Sequence, residues 1–223
     1  EKMDNLHSIY VDQWDWEKII PQGRRDEAYL IETVKKIVNA VCDTLDDLKK
    51  MFPKLSASLS REVSLITTQE LENLYPDKSP KERENLYVKY HPCTFVMQIG
   101  DLLKSGQKHD GRAPDYDDWS LNGDILFWDD TLGCAFEISS MGIRVDAKAM
   151  EEQLQKAGCE ERKKFPFHQM VLDSTLPLTI GGGIGQSRLC MLLLGKAHIG
   201  EVQASIWDDE TKAVCQAAGV PLL

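Results

Sequence analysis

The sequence predicts an α+β domain with a mainly antiparallel sheet. Strand-like and helical runs interleave along the chain, yet the runs at 124–128 and 134–138 are spaced as a hairpin. A length of 223 residues, 42% of them hydrophobic, is enough for one good-sized core.

Residues 6–16 alternate apolar with polar side chains and are rich in β-branched and aromatic types, which predicts a strand. On a period of two, Ser8, Tyr10, Asp12, Trp14 and Trp16 share one face, and His7, Ile9, Val11, Gln13 and Asp15 the other. Over 26–51, Leu30, Ile31, Val34, Ile37, Val38, Val41, Leu45 and Leu48 recur at three- and four-residue steps, the stripe of a long amphipathic helix. A short strand is expected at 63–67. Thr68 opens a short helix ending at Tyr75-Pro76, and Ser79-Pro80 caps another that reaches about Tyr90. An apolar strand at 93–99 gives way to polar loop or hairpin at 100–122. After the hairpin, Asp146 caps a helix that Gly158 closes. The glycine run 181–185 leads into a helix at 187–194, and 202–206 is expected as a late strand.

The net charge of −10, from 26 basic and 36 acidic residues, argues against broad binding to nucleic acid or anionic membrane. No apolar run approaches a membrane span, and no signal peptide is visible. Cys42, Cys93, Cys134, Cys159, Cys190 and Cys215 are scattered without C-x-x-C pairs, so free thiols in the reducing cytoplasm are expected and structural zinc is not. The chain opens at Glu1 without a methionine, almost at once in a strand-like run. We expect it to be the retained part of something longer.

The most informative stretch is Gly181-Gly182-Gly183-Ile184-Gly185-Gln186-Ser187-Arg188, running into an apolar helix. Glycines admit close approach of backbone to a ligand, and Arg188 in the first helical turn suits a phosphate or an aromatic base. The run is not a P-loop, because no Gly-Lys-Ser/Thr closes it, nor a dinucleotide fingerprint, because Gln186 replaces the third glycine. Gln13 and Asp15 could hold an amino acid's ammonium or amide, although a solvated edge-strand face is the commoner reason for such a pair. Glu137 to Arg144, with Asp124 on the preceding strand, could hold Mg²⁺ and nucleotide phosphates; a turn with a surface salt bridge explains the letters equally well. The acidic stretch from Arg112 to Trp119 fails Ca²⁺-loop spacing, and acidic loops of this kind are usually solvated. The five histidines, His109 among them, show no metal-ligand spacing, and no Ser-His-Asp or Cys-His set is visible.

Gly183-x-Gly185-x-x-Arg188 resembles motif three of class II aminoacyl-tRNA synthetases, and Glu137-Ile138-Ser139-Ser140 with Gly142 and Arg144 resembles the ATP-binding strand of their aspartyl and asparaginyl members. Leu6-His7-Ser8-Ile9-Tyr10-Val11-Asp12-Gln13-Trp14-Asp15-Trp16-Glu17 is closer to another group with the same core, the ammonia-dependent asparagine synthetases. So are Arg112-Ala113-Pro114-Asp115-Tyr116-Asp117-Asp118-Trp119, Leu121-Asn122-Gly123-Asp124-Ile125-Leu126 and Ser139-Ser140-Met141-Gly142-Ile143-Arg144-Val145-Asp146. The resemblance covers essentially the whole chain.

It implies a class II synthetase-like fold, an antiparallel sheet flanked by helices, in a homodimer. It further implies that ATP activates the β-carboxylate of L-aspartate as β-aspartyl-AMP, with pyrophosphate released, and that ammonia then displaces AMP. On this likeness Gln13 and Asp15 line the aspartate pocket, with Ser140 near the acyl group, and Arg188 contacts the nucleotide. Leu6, Ile9, Val11, Ile138 and Gly183 wall the adenosine, Ser139 and Ser140 sit near phosphate, and Asp124 and Glu137 hold Mg²⁺. Asp117 is placed near the incoming ammonia. Relatives start well upstream of Glu1 and have a longer insert between Ser120 and Leu121, so 1–223 is expected to be a single catalytic domain, incomplete at its N-terminus and lacking a loop near 120–121. Two other readings stay open: the catalytic core of an aspartyl- or asparaginyl-tRNA synthetase, opposed by the acidic charge and the lack of a basic anticodon-binding module, and a non-catalytic paralogue that binds amino acid or nucleotide.

Overall fold

Six strands form one sheet in the order β1-β6-β5-β4-β3-β2 in the computed structural model, which describes residues 4–21 and 23–223. In chain order the elements are β1 (Gln13–Ile19), α1 (Glu27–Met51), β2 (Ser64–Thr67), α2 (Thr68–Leu74), α3 (Pro80–Val88), β3 (Cys93–Met97), β4 (Asp117–Asp129), β5 (Cys134–Arg144), α4 (Ala147–Ala157), α5 (Pro166–Leu172), β6 (Thr179–Gly185), α6 (Gln186–Leu194) and α7 (Asp209–Ala217), with 3₁₀ turns at Glu160–Lys164 and Ile199–Glu201. Only β2 and β3 pair in parallel; every other neighbour is antiparallel, as expected of the α+β class.

The long helix forms as its periodicity predicts. The Asp26 side chain caps it by accepting from the Tyr29 amide, and Leu30, Val34, Val38, Val41 and Leu45 bury against Phe95, Phe127, Phe136 and Met141 of the sheet. That covers one face. On the other, α2 and α3 cover the β2–β3–β4 side and reach the start of β5, around Ile66, Leu71, Val88, Val96, Leu126 and Ala135. Thr67 and Ser79 start these two helices with complete capping boxes. Asp146 and Gly158 bracket α4 as expected, Gly158 with φ 65°.

Three expectations need correction. Residues 6–12 are not a strand; β1 begins at Gln13. The Asp4 carboxylate instead accepts from the amides of Leu6 and His7, and Ser8 Oγ donates to the Tyr10 carbonyl, local bonds that replace a ladder. The glycine run, to which the sequence assigned no element of its own, is strand β6, paired on both sides with β1 and β5. The hairpin is longer than its apolar core, running back to Asp117 and on to Arg144. Ser120 and Leu121 are consecutive inside β4, at a bulge where residues 118–121 fall between the pairs Asp117–Arg144 and Asn122–Gly142. Residues 202–206 form no strand and follow a 3₁₀ turn instead. All six cysteines are free, and among the described residues no helix is long and apolar enough to cross a membrane.

Candidate active site

The floor of the site is β6, and its glycines explain how side chains from β1 can lie flat across a sheet. A Cβ on Gly183 would meet Gln13 Nε2 at 1.7 Å, and one on Gly181 would meet Glu17 Oε2 at 2.2 Å. Only the missing side chains leave room for this polar row. Along it, Gln13 Nε2 donates to Asp15 Oδ1 at 2.7 Å.

Beside that row lies a charge network that is buried at Arg144, Asp117 and Asp124 and reaches the surface at Glu17 and Tyr116. Arg144, at the end of β5, donates to both Glu17 oxygens through Nε at 3.1 Å and to Oε2 through Nη2 at 2.8 Å. It also donates to Asp117 Oδ1 and, at 2.9 Å, to the Tyr116 hydroxyl, while its guanidinium lies 3.9 Å from the Tyr116 ring centroid. Next along the sheet, Arg112 donates to Asp124 and Ser140, and Ser140 Oγ donates to Asp124 Oδ1 at 2.7 Å. Burial pushes Asp117 and Asp124 above the ordinary carboxylate range, with Arg144 and Arg112 pulling against it. Burial, and then the neighbouring Asp124 carboxylate, push Glu137 up to about 7. Two carboxylates that repel one another favour a cation, and Mg²⁺ suits one or two carboxylates completed by phosphate oxygens. Phosphate would be needed, because among the described residues no three His, Cys, Asp or Glu side chains converge on a metal-sized site.

A cleft of about 740 Å³ opens next to this network, lined by residues 6–13, Glu137 to Ser140, Gly183, Gly185 and Arg188 among others. Ser139 Oγ there is buried without a partner. Arg188 enters from the first turn of α6. Its Nη1 donates to the Glu137 carbonyl at 3.4 Å and lies 3.7 Å from the Glu137 carboxylate, and its Nη2 donates to His7 Nε2 at 2.8 Å. His7 Nδ1 in turn donates to Asp4 at 2.8 Å.

Leu6, Ile9, Val11, Gln13, Glu137, Ile138, Ser139, Ser140, Gly183 and Arg188 therefore all border one cleft. Asp15 lies one step along β1, bonded to Gln13, and Asp124 reaches the cleft edge through Ser140. Asp117 is the exception. Its buried carboxylate faces Arg144, which is at odds with a place beside free ammonia and makes it a support for that arginine. Sequence reasoning assigned no role to Arg112, Tyr116, Glu17 or His7, and took Arg144 only as part of a stretch that could hold Mg²⁺ and phosphates. The two arginines stood inside the quoted motifs, but their partners are settled by strand register rather than by spacing.

A family profile for aspartate-ammonia ligase matches residues 1–219. The chain belongs to the aspartate–ammonia ligase family. It is 56% identical to the aspartate–ammonia ligase of Clostridium tetani over 223 residues, all of this chain and 65% of that protein. It is 58% identical to that of Ligilactobacillus salivarius, spanning 67% of it. The chain thus spans about two thirds of the length of these family members. Among solved structures, the aspartyl-tRNA synthetase of Entamoeba histolytica matches with TM-score 0.64 at 17% identity, over 91% of this chain and 44% of that one. The asparaginyl-tRNA synthetase of Pyrococcus horikoshii, complexed with asparaginyl-adenylate, matches with TM-score 0.61 at 15% identity, over 89% and 48%. These likenesses establish the class II synthetase fold for this member of the ligase family.

Proposed function

We propose that the full-length protein converts L-aspartate and ammonia to L-asparagine at the cost of ATP, through β-aspartyl-AMP, releasing AMP and pyrophosphate. The observation that carries this is the junction of two environments at Gln13 and Ser140. On one side is the cleft, with an apolar wall and an arginine; on the other is a polar patch carrying Asp15, Glu17 and Arg144. The cleft suits a nucleoside monophosphate, and the patch suits a small zwitterion with a second carboxylate.

In this reading Leu6, Ile9, Val11, Ile138 and Gly183 wall the adenosine, and Arg188 meets the phosphates or the base. Asp15 and Gln13 take the substrate ammonium, and Arg144 takes a carboxylate with the bidentate geometry, Nε to one oxygen and Nη2 to the other, that it now offers Glu17. Asp117 and Tyr116 keep that guanidinium in place. Arg112 fixes Ser140 and Asp124 beside the reacting acyl group. A carboxylate oxygen of aspartate attacks the α-phosphorus, breaking its bond to the pyrophosphate oxygen. Ammonia then adds to the acyl carbon, loses a proton, and expels AMP. Adenylation turns a poor leaving oxygen into a good one; the rest is orientation and charge stabilisation. Asp124 and Glu137 would hold Mg²⁺, which supplies charge neutralisation on the phosphates when bound. We place the protein in the cytoplasm as a homodimer that binds neither nucleic acid nor membrane, with 1–223 acting as a single catalytic domain.

The test is to incubate full-length protein with ATP, Mg²⁺, aspartate and ammonium. AMP, pyrophosphate and asparagine are expected. ADP and phosphate would overturn the adenylate route.

A further inference from the structure

Arg112, Tyr116 and Asp117 lie on one stretch, 111–117, which has no regular structure until β4 begins at Asp117. A segment with so little ladder of its own must be held from outside. One side chain on α4 does much of this. Gln153 is 5% exposed, and its amide uses both donors and its oxygen: Nε2 donates to the Pro114 carbonyl at 2.9 Å and to the Asp117 carbonyl at 3.0 Å, and Oε1 accepts from the Trp119 amide at 2.8 Å. A primary amide has two N–H donors and a carbonyl oxygen that can accept two bonds, so three of its four hydrogen-bonding positions hold this one stretch of backbone.

The placement of these bonds matters more than their number. They bracket Asp117 on its own carbonyl, on one side at Pro114 and on the other at Trp119. They also fall at the bulge, where ladder pairing lapses between Asp117 and Asn122 and strand neighbours cannot fix the backbone. The Asp117 carboxylate lies against Gly142, where a Cβ would come within 2.8 Å of Asp117 Cγ, and it accepts from Arg144. A second tie supports the same stretch: Asp115 accepts from His168 Nε2 and Arg162 Nη1, both at 2.9 Å. A residue that merely filled space beside Met150 and Leu154 would need none of this geometry.

We propose that Gln153, outside the substrate-binding surface, is a positioning residue for the amino-acid subsite. It fixes the backbone around the bulge, so that Asp117 and Tyr116 hold the Arg144 guanidinium where a substrate carboxylate must land. The inference deepens the ligase reading above and rests on it.

The experiment uses the full-length protein and two variants, Gln153→Leu, which removes all three bonds at similar volume, and Gln153→Glu, which keeps the acceptor but turns a carboxylate oxygen toward two carbonyls. In aspartate-dependent pyrophosphate exchange, both should raise the aspartate KM by about 10- to 100-fold, the range seen when outer supports of a site are lost. The ATP KM should stay within about twofold of wild type, as the cleft does not touch α4. Hydrogen exchange should speed up over 114–119 and stay unchanged over β5. An unchanged aspartate KM in a folded variant, or equal losses for both substrates, overturns the proposal. If Gln153→Leu does not fold, Gln153→Glu carries the same readouts. Absence of exchange activity in wild type would instead defeat the ligase reading, while faster hydrogen exchange confined to 114–119 would still report the clamp.

Discussion

Arg188 reaches the cleft already aimed, with the Glu137 carbonyl on one arm of its guanidinium and His7 on the other. Such preorganisation is what makes a cation useful to a developing phosphate charge, since no reorientation is needed during reaction. Arg188→Ala should therefore lower the rate of pyrophosphate exchange by about 3 kcal/mol of barrier, more than a hundredfold. Steady-state exchange kinetics check this, and a rate near wild type would contradict the assignment. Arg144 makes a different kind of contact. It offers a flat fork to Glu17 that lysine cannot reproduce, so Arg144→Lys should weaken aspartate binding by about 1.5–3 kcal/mol, the range of one hydrogen bond to a charged group, yet spare ATP binding. Titration calorimetry with each ligand separates the two effects.

At the scale of elements, the helices were largely legible and the glycine strand was not. The 26–51 helix shows its stripe in the letters, and Asp26, Thr67, Ser79 and Asp146 mark helix starts by chemistry that is local to a few residues. Strand β6 carries no such signal, because four glycines in seven residues erase the alternation that would reveal it. The 6–12 stretch fails the opposite way: its alternation is clear, but side chains of Asp4 and Ser8 claim its backbone. The site divides likewise. Gln13, Ser139, Ser140 and Arg188 stand in short contiguous motifs, whereas the pairing of Arg144 with Glu17, 127 positions away, depends on the register of β1, β6 and β5. Two predictions belong here. Gly183→Ala should displace the flexible Gln13 amide and impair aspartate binding more than folding, checked by calorimetry beside a melting curve. Asp26→Ala should cost about 1 kcal/mol of stability through the lost cap, checked by denaturant titration.

For the molecule as a whole, acid stability should pass through the tie that joins the 111–117 stretch to α5. Burial would raise the Asp115 pKa, but hydrogen bonds from His168 and Arg162 outweigh it and hold the carboxyl below its ordinary range. A depressed folded-state value stabilises above the unfolded pKa, about 4, and that contribution fades as pH falls through the folded value. Asp115→Asn should therefore melt lower than wild type at pH 7, with the gap narrowing below about pH 4. Melting temperatures across that range decide it, and a gap independent of pH would contradict the assignment.

The bare backbone under the cleft has a further effect on how such a catalyst can change its taste in substrates. A groove whose base offers no side chains cannot be deepened by trimming them, and any enlargement there pushes upward into the guest. Selectivity must then be retuned from the walls, at Gln13, Asp15 and Glu17, or from the struts behind Arg144, while the base stays bare.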